Sequence, residues 1–369
     1  MKIFGRKSAG RAEARPVFSR VSGVGAWPQS YEAQVREGYL GNAIAQRAVR
    51  LVAEGVGGAP WEASDPALLA LAEASSGGQG LIETIAAQLL LHGNAYVQLL
   101  TDSGGVLREL FALRPERVTV EADAGGWPVA YRYAVGGRTV RLSVADPARP
   151  ELVHIKAFHP LDDHYGLGCL GAAAGAIAVH NAAARWNKAL LDNAARPSGA
   201  LVYEPGDGSA MSGEQFDRVR AEMEAGFAGA GNAGRPMLLE GGLRWQALSL
   251  SPADMDFAGT KAAAAREIAL AFGVPPMLLG LPGDSTYANY KEANRALWRL
   301  SILPLAEAIG SAIAQGVRGW FPDARLGIDL NHVTALSEDR ERLWRQVSGA
   351  DFLSREEKRA MLGLGAGQA

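Results

Sequence analysis

The chain has 369 residues, 48% of them apolar, and its 37 basic and 39 acidic side chains leave a net charge of −2. That length and apolar share support a large core and roughly two or three domains. The near-neutral balance argues against tight, charge-driven phosphate binding, and the single cysteine, Cys169, excludes an internal disulfide and any multi-cysteine metal site.

The opening MKIFGRKSAGRAEARPVFSR is basic but lacks a continuous apolar core, so it does not read as a secretory leader. Residues 1–25 are expected to be a flexible basic tail. The longest run of small apolar residues, Leu167 to Val179, falls short of the ~20 that a membrane span needs, so no membrane partner is expected.

From Gly41 to Glu54 apolar residues recur at helical spacing, at Ile44, Ala48, Leu51 and Val52. A second helix is predicted over Leu81 to Leu91. The period then changes. AYVQLL, LRELFAL, RVTVEA, AYRYAV, RTVRLSV and ELVHIKAF are short runs rich in Val, Tyr, Thr and Leu, parted by the turn-formers DSGG, DAGG and VGG. Asn94 to Phe158 is therefore expected to form an antiparallel sheet.

Leu167 to Ala195 is helical again, and RPSGALVYEP reads as a turn and a strand. Ser212-Gly-Glu-Gln215 is a capping box that opens a helix to about Gly229. RPMLLE and LRWQALSL flank Gly241-Gly242 and predict a β-hairpin. Ser251, Pro252 and Asp254 combine an N-cap, a proline at the first helical position and an early acid, for a helix to about Phe272. The simplest geometry runs these two helices antiparallel, with the hairpin at one tip.

A stop follows at Gly273, then Pro275-Pro276, a polar glycine-containing loop, and a long helix from near Asn289. Its apolar stripe is Ala293, Leu297, Leu300, Leu305, Ile309 and Ile313. Pro304 lies inside it and predicts a kink near Leu300, because proline removes the bond to the carbonyl four residues back. RLGIDL is a short strand. Ser337 and Ser354 each begin a terminal helix, and Ser354-Arg-Glu-Glu357 is another capping box.

Three motifs bear on chemistry. Gly166-Leu-Gly168-Cys-Leu-Gly171 matches GxGxxG before a helix, the pattern of a dinucleotide-dependent enzyme. HPLDDHY separates it from the preceding strand, however, and Glu204 comes too late to bind a ribose, so close helix packing is the alternative. Gly283-Asp284-Ser285 resembles a hydrolase nucleophile turn, but only His332 lies C-terminal to it as a base. His154, His159 and His164 are spaced by five around Pro160, which suits neither a helical face nor a tight metal turn. No catalytic residue, cofactor or metal is expected, and the fold class is α+β.

The sequence resembles the portal proteins of tailed bacteriophages and phage-like gene transfer agents over nearly its whole length. GNAIAQRAVRLVAEGVGGAPW is similar to the family's first helix and LLLHGNAYVQLL to its helix-to-strand joint. ARPSGALV, GNAGRPMLLEGGLRWQALSLS, IALAFGVPPMLLG and YANYKEANRALWRLSILPLAEAI are the most specific matches, and LSREEKRAMLGL resembles the family's ending. YGLGCLGAA departs from it, with Gly168-Cys169 where the family usually has Ser-Pro.

The resemblance implies a wing over residues 26–210, a stem helix over 211–229, a clip over 230–250, a second stem helix over 251–273, and a tunnel-loop region over 274–288. A kinked helix returning to the wing (289–332) and a short crown (333–369) complete the chain. It implies a homo-oligomeric ring, typically of ~12 subunits, through which double-stranded DNA passes, without sequence preference, during packaging and ejection. The ring would sit at the capsid vertex of a virion, be assembled in the bacterial cytoplasm, and meet the terminase large subunit, a head–tail adaptor and the major capsid protein. Leu281, Asp284, Ser285, Thr286 and Tyr287 become candidate channel residues. Lys261 and Arg266 would face the channel from the stem, and Arg235, Glu240, Arg244 and Trp245 would make clip contacts.

Overall fold

The computed structural model describes residues 30–192, 199–204, 211–227, 242–247, 256–281 and 286–363. Helix α1 (Tyr31–Gln34) is capped by Ser30 and runs into a π turn over Val35–Leu40. The predicted amphipathic helix follows as α2 (Ala43–Gly57) and buries Ala45, Ala48, Val49, Val52, Ala53 and Val56 along one stripe. Its N-cap is Asn42, whose side-chain oxygen accepts from the amides of Ile44 and Ala45. Next come β1 (Trp61–Ala63), α3 (Pro66–Ala72), the short ladder of β2 (Ser75–Ser76) and β3 (Gln79–Gly80), and α4 (Leu81–His92). Gly93 closes α4 in the left-handed conformation, at φ 80°.

The six expected strands form as β4 (Asn94–Thr101), β5 (Leu107–Leu113), β6 (Val118–Ala122), β7 (Pro128–Val135), β8 (Arg138–Ser143) and β9 (Leu152–Lys156). All pair antiparallel, but in two three-stranded sheets, β5-β4-β9 and β6-β7-β8, and not in one. The break falls at the 3-10 turn Pro115–Arg117, where proline has no N–H for a ladder and a fixed φ that turns the chain. The sheets meet over a small core of Tyr96, Leu113, Val118, Tyr131, Leu142 and Leu152.

Helix α5 (Cys169–Asp192) is followed by β10 (Gly199–Tyr203), α6 (Gly213–Phe227), β11 (Leu243–Ala247) and α7 (Phe257–Ala271). The Ser212–Gln215 capping box is present in both directions, at 2.9 and 3.2 Å. Three expectations meet the structure here, and the first of them changes. First, α7 packs along α5 and not along α6. Trp186 stacks on Phe257 at 5.8 Å, while Ala172 and Ala176 share a groove with Ala264 and Glu267, so the pair is antiparallel. Small residues let these helices approach closely. By contrast, α6 carries Glu214, Asp217, Arg218 and Glu222 and leaves Phe216 59% exposed.

Second, β11 pairs antiparallel with β10, from Gly199 with Ala247 to Tyr203 with Leu243. The other arm of the predicted hairpin, residues 235–240, lies outside the described residues. Third, α7 is capped by Asp256, whose carboxylate accepts from the Gly259 amide at 3.0 Å. The cap expected at Ser251 lies outside the described residues, as does the tail over 1–25.

The long helix runs unbroken from Tyr287 to Gly316, as α8 (Tyr287–Leu297), a π turn (Trp298–Ile302) and α9 (Leu303–Gly316). It begins two residues before the predicted Asn289, at a Thr286 cap. The irregularity due to Pro304 takes the form of the π turn, in which the Leu303 amide reaches back to the Trp298 carbonyl. By length and composition this helix could cross a membrane. Here it buries Ala306, Ile309, Gly310, Ile313 and Ala314 and joins α2 and α4 in the main core. Strand β12 (Leu326–Ile328) pairs with β1. Helices α10 (Ser337–Ser348) and α11 (Arg355–Met361) end the described chain. Ser337 is the first residue of α10, with Leu336 as its cap, whereas Ser354 makes the full predicted capping box.

Candidate functional site at the proline stop

The end of α7 and the middle of the long helix are tied together. Gly273 takes φ 64°, a left-handed conformation that favours glycine. The Ser301 hydroxyl, in the π turn, donates to the Gly273 carbonyl at 2.6 Å. Pro275 is extended, Pro276–Leu279 forms a 3-10 turn packed on the core through Leu278 and Leu279, and Gly280 is again left-handed. The Leu281 amide donates back to the Pro276 carbonyl at 3.3 Å. On the far side, Thr286 Oγ1 accepts from the Asn289 amide at 3.2 Å. Both roots of the polar loop are thus fixed to one body.

Beyond Thr286 the surface is aromatic and charged. Tyr287 is 76% exposed and Tyr290 is also exposed. Lys291 Nζ lies 5.2 Å from the Tyr287 ring centroid and 3.0 Å from Glu338. Arg295, its side chain only 13% exposed, bridges Glu292 at 2.9 Å, Glu338 at 2.8 Å and Asp339 at 3.4 Å. The Lys291 hydrogen bond and charge hold the Glu338 carboxyl below its ordinary range, and Glu338 raises Lys291 in return.

This cluster clamps α10 to α8. Glu338→Ala is expected to speed hydrogen exchange in α10 while leaving α9 unchanged. The clamp holds above the ordinary glutamate range of about pH 4.3 and is lost as pH falls through the lowered Glu338 value. Exchange measured across that window checks both statements.

The expected site residues do not all converge. Leu281 is half-buried at the loop root, Thr286 is the cap, and Tyr287 opens α8. Asp284 and Ser285 lie outside the described residues, as do Arg235 and Glu240. On α7, Lys261 is half-buried and acts on His180 of α5. Arg266 is exposed and reaches the Ala262 carbonyl. Five residues apart on a helix, the two point in well-separated directions. Arg244 is exposed on β11, 3.7 Å from Glu204, and the Trp245 backbone is in register with Leu201. Sequence reasoning missed Lys291, Arg295, Glu338 and Asp339. The Glu292–Arg295 spacing was visible, but their distant acidic partners on α10 carried no local signal.

The glycine motif has a packing role. A Cβ on Gly166 would lie 2.0 Å from the Gly93 carbonyl oxygen, and one on Gly168 would lie 2.5 Å from the Leu91 carbonyl oxygen. Gly166 also exchanges hydrogen bonds with Asn94, at 2.7 and 3.1 Å. These glycines touch the backbone closing α4, leaving no space for a pyrophosphate. Of the histidines, His159 Nδ1 accepts from the Leu161 amide and His154 is held between Asn94 and Tyr131. Among the described residues no group of three or more His, Cys, Asp or Glu side chains could hold a metal. His332 hydrogen-bonds to Asp329, and Ser285 lies outside the described residues.

An antiparallel helix pair, a chain excursion at one end, and a proline stop feeding a long helix with an internal π turn at the other define a portal-type subunit. The chain belongs to the phage portal protein family, whose model matches residues 43–363. It is similar to a chain in the neck of a native gene transfer agent particle computed with C12 symmetry. That similarity is 49% in sequence, with a TM-score of 0.70, over 92% of this chain and 95% of the other. It is 30% identical to the probable portal protein of Streptomyces phage phiC31, over 69% of this chain and 56% of that one. It shares the fold of an HK97-family portal protein from Corynebacterium diphtheriae, at 17% identity and TM-score 0.59, covering 83% and 96% of the two chains.

Proposed function

We propose that this chain is the subunit of a ring that forms the double-stranded DNA passage at the portal vertex of a phage or gene transfer particle. The observation that carries this reading is the α5–α7 pair. At one end it emits the excursion bearing β10, α6 and β11, and at the other it turns at Pro275-Pro276 into the loop and α8. In this reading α5 and α7 are the stem, with α5 in place of residues 211–229 and α7 within the expected 251–273. The excursion, including α6, is then the clip. The two sheets with α2, α4 and α9 form the wing, and α10 and α11 the crown.

The loop from Leu281 to Tyr287 narrows the channel, with Asp284, Ser285 and Thr286 toward DNA. The prolines fix its exit direction, and Gly280 takes the left-handed conformation that turns the chain into it. Arg235, Glu240, Arg244 and Trp245 serve the clip, which docks the terminase large subunit during filling and the head–tail adaptor afterwards, while the wing meets the major capsid protein. A near-neutral chain suits a conduit, because each phosphate neutralised by Lys or Arg strengthens binding and slows passage. The role is structural, and ATP hydrolysis belongs to the partner motor. The C12 neck of the 49% identical relative supports twelve subunits.

Negative-stain electron microscopy with native mass spectrometry tests this reading. The expected result is a ring with a central hole and a mass near twelve copies of the 38.9 kDa chain. A small closed oligomer without a channel, both in the purified protein and in particles from the source, rejects it.

A further inference from the structure

His180 lies on α5 where that helix crosses the entry to α2, and its neighbours fix its protonation state. Asn42 commits its side-chain oxygen to the amides of Ile44 and Ala45, at 3.1 and 3.0 Å. Its amide nitrogen therefore faces α5. There it donates to Asn181 Oδ1 at 2.8 Å and lies 3.1 Å from His180 Nδ1. An amide nitrogen only donates, so His180 Nδ1 presents a lone pair and the ring proton sits on Nε2. Asn42 cannot turn over to suit a charged ring without abandoning two amides at the helix start. Asn181 completes the tie by donating to the Glu37 carbonyl at 3.0 Å. The site is enclosed, with Asn42 2% and His180 9% exposed.

We propose that Asn42, His180 and Asn181 form a proton-operated latch between the α5–α7 pair and the entry to α2. It is closed while His180 is neutral and opens when the ring takes a second proton. A proton on Nδ1 sets two donors 3.1 Å apart with no acceptor between them. The surroundings resist that proton. Burial first, then the Lys261 charge from α7, hold His180 below the ordinary imidazole value, while hydrogen bonding to the Asn181 side-chain oxygen works the other way. Glu37 offers its backbone carbonyl here. Helices α1 and α4 meet α5 nearer its start, with the uncharged Gln34 near Gly171 and the Leu91 carbonyl near Gly168. The latch goes beyond the portal reading and stands on the packing of one chain.

Hydrogen exchange of the full chain at about pH 7.5 and about pH 5, corrected for the intrinsic rate, reads the latch at Ile44 and Ala45. These amides are expected to exchange roughly five- to tenfold faster at the acid pH while α9 keeps its protection. His180→Gln cannot charge and abolishes the step. Asn42→Ser keeps a helix cap but loses the donor to His180, and abolishes it too. Equal protection at both pH values in the unmodified chain, or an acid step that survives either substitution, overturns the proposal.

Discussion

Gly166→Ala is expected to destabilise the protein by about 4 kcal/mol, lowering its thermal midpoint by roughly 5 °C. The added methyl would lie 2.0 Å from the Gly93 carbonyl oxygen and within 2.8 Å of the Ala157 backbone. Overpacking of side chains costs about 1–3 kcal/mol because neighbours can shift. Here the neighbours are backbone, and the junction is fixed by the two hydrogen bonds between Asn94 and Gly166 and by that from the Ala157 amide to the Gly93 carbonyl. Relief means breaking those buried bonds, at about 1 kcal/mol each or more.

The control is internal to the motif. A methyl on Gly171 meets only Gln34 Oε1, at 3.8 Å, so Gly171→Ala should be neutral or stabilising by up to ~1 kcal/mol in its helix. A dinucleotide site would instead tie all three glycines to cofactor affinity. Scanning calorimetry of both variants separates the two outcomes.

Acid should weaken the fold before any carboxylate titrates, chiefly through His154. Its Nε2–H donates to Asn94 Oδ1 at 3.0 Å, its Nδ1 accepts from the Tyr131 hydroxyl at 3.2 Å, and its ring stacks on Tyr96 at 4.3 Å. Burial, then the Lys156 charge, push it down to about 3. The unfolded chain takes up this proton near pH 6.5 and the folded chain does not. The contribution is therefore complete above pH ~6.5 and falls by about 1.4 kcal/mol per pH unit as pH drops from there toward about 3. At pH ~5 the loss is about 2 kcal/mol. His92 and His180, also lowered by burial, add to the slope. Urea midpoints between pH ~7 and ~5 should show most of this slope disappearing in His154→Gln. An unchanged slope would mean that the proton goes elsewhere.

What could be read from the residues followed the range of the interactions involved. Ser212 with Gln215 and Ser354 with Glu357 are capping boxes within one turn, so the sequence displays both partners. The strand runs from Asn94 to Lys156 were legible because alternation and glycine turns are local too. The break at Pro115 was present in the sequence, but whether a proline ends a strand or a whole sheet depends on where the next strand finds its partner. The choice of α5 over α6 as partner for α7 is non-local. Two helices adjacent in sequence are the simplest pair only when nothing else offers a better face, and the Ala-rich face of α5 does. The same holds for β10 with β11 and for Arg295 with Glu338, each joined across a long stretch of chain. Pro304 marked where the long helix is disturbed, but not that the disturbance would be an enlarged turn rather than a bend.

That enlarged turn also bears on chain length. A turn closed five residues back accommodates one more residue than an α turn. Trp298–Ile302 thus absorbs what amounts to a one-residue insertion inside the helix, as a bulge does in a strand. Upstream of it, α8 presents Lys291 and Arg295 to α10, while downstream α9 seats Ile309 and Ile313 in the core. The two halves can therefore hold different rotational settings about a common axis. The Lys291–Arg295 face is thereby set toward α10 independently of the core positions that α9 occupies.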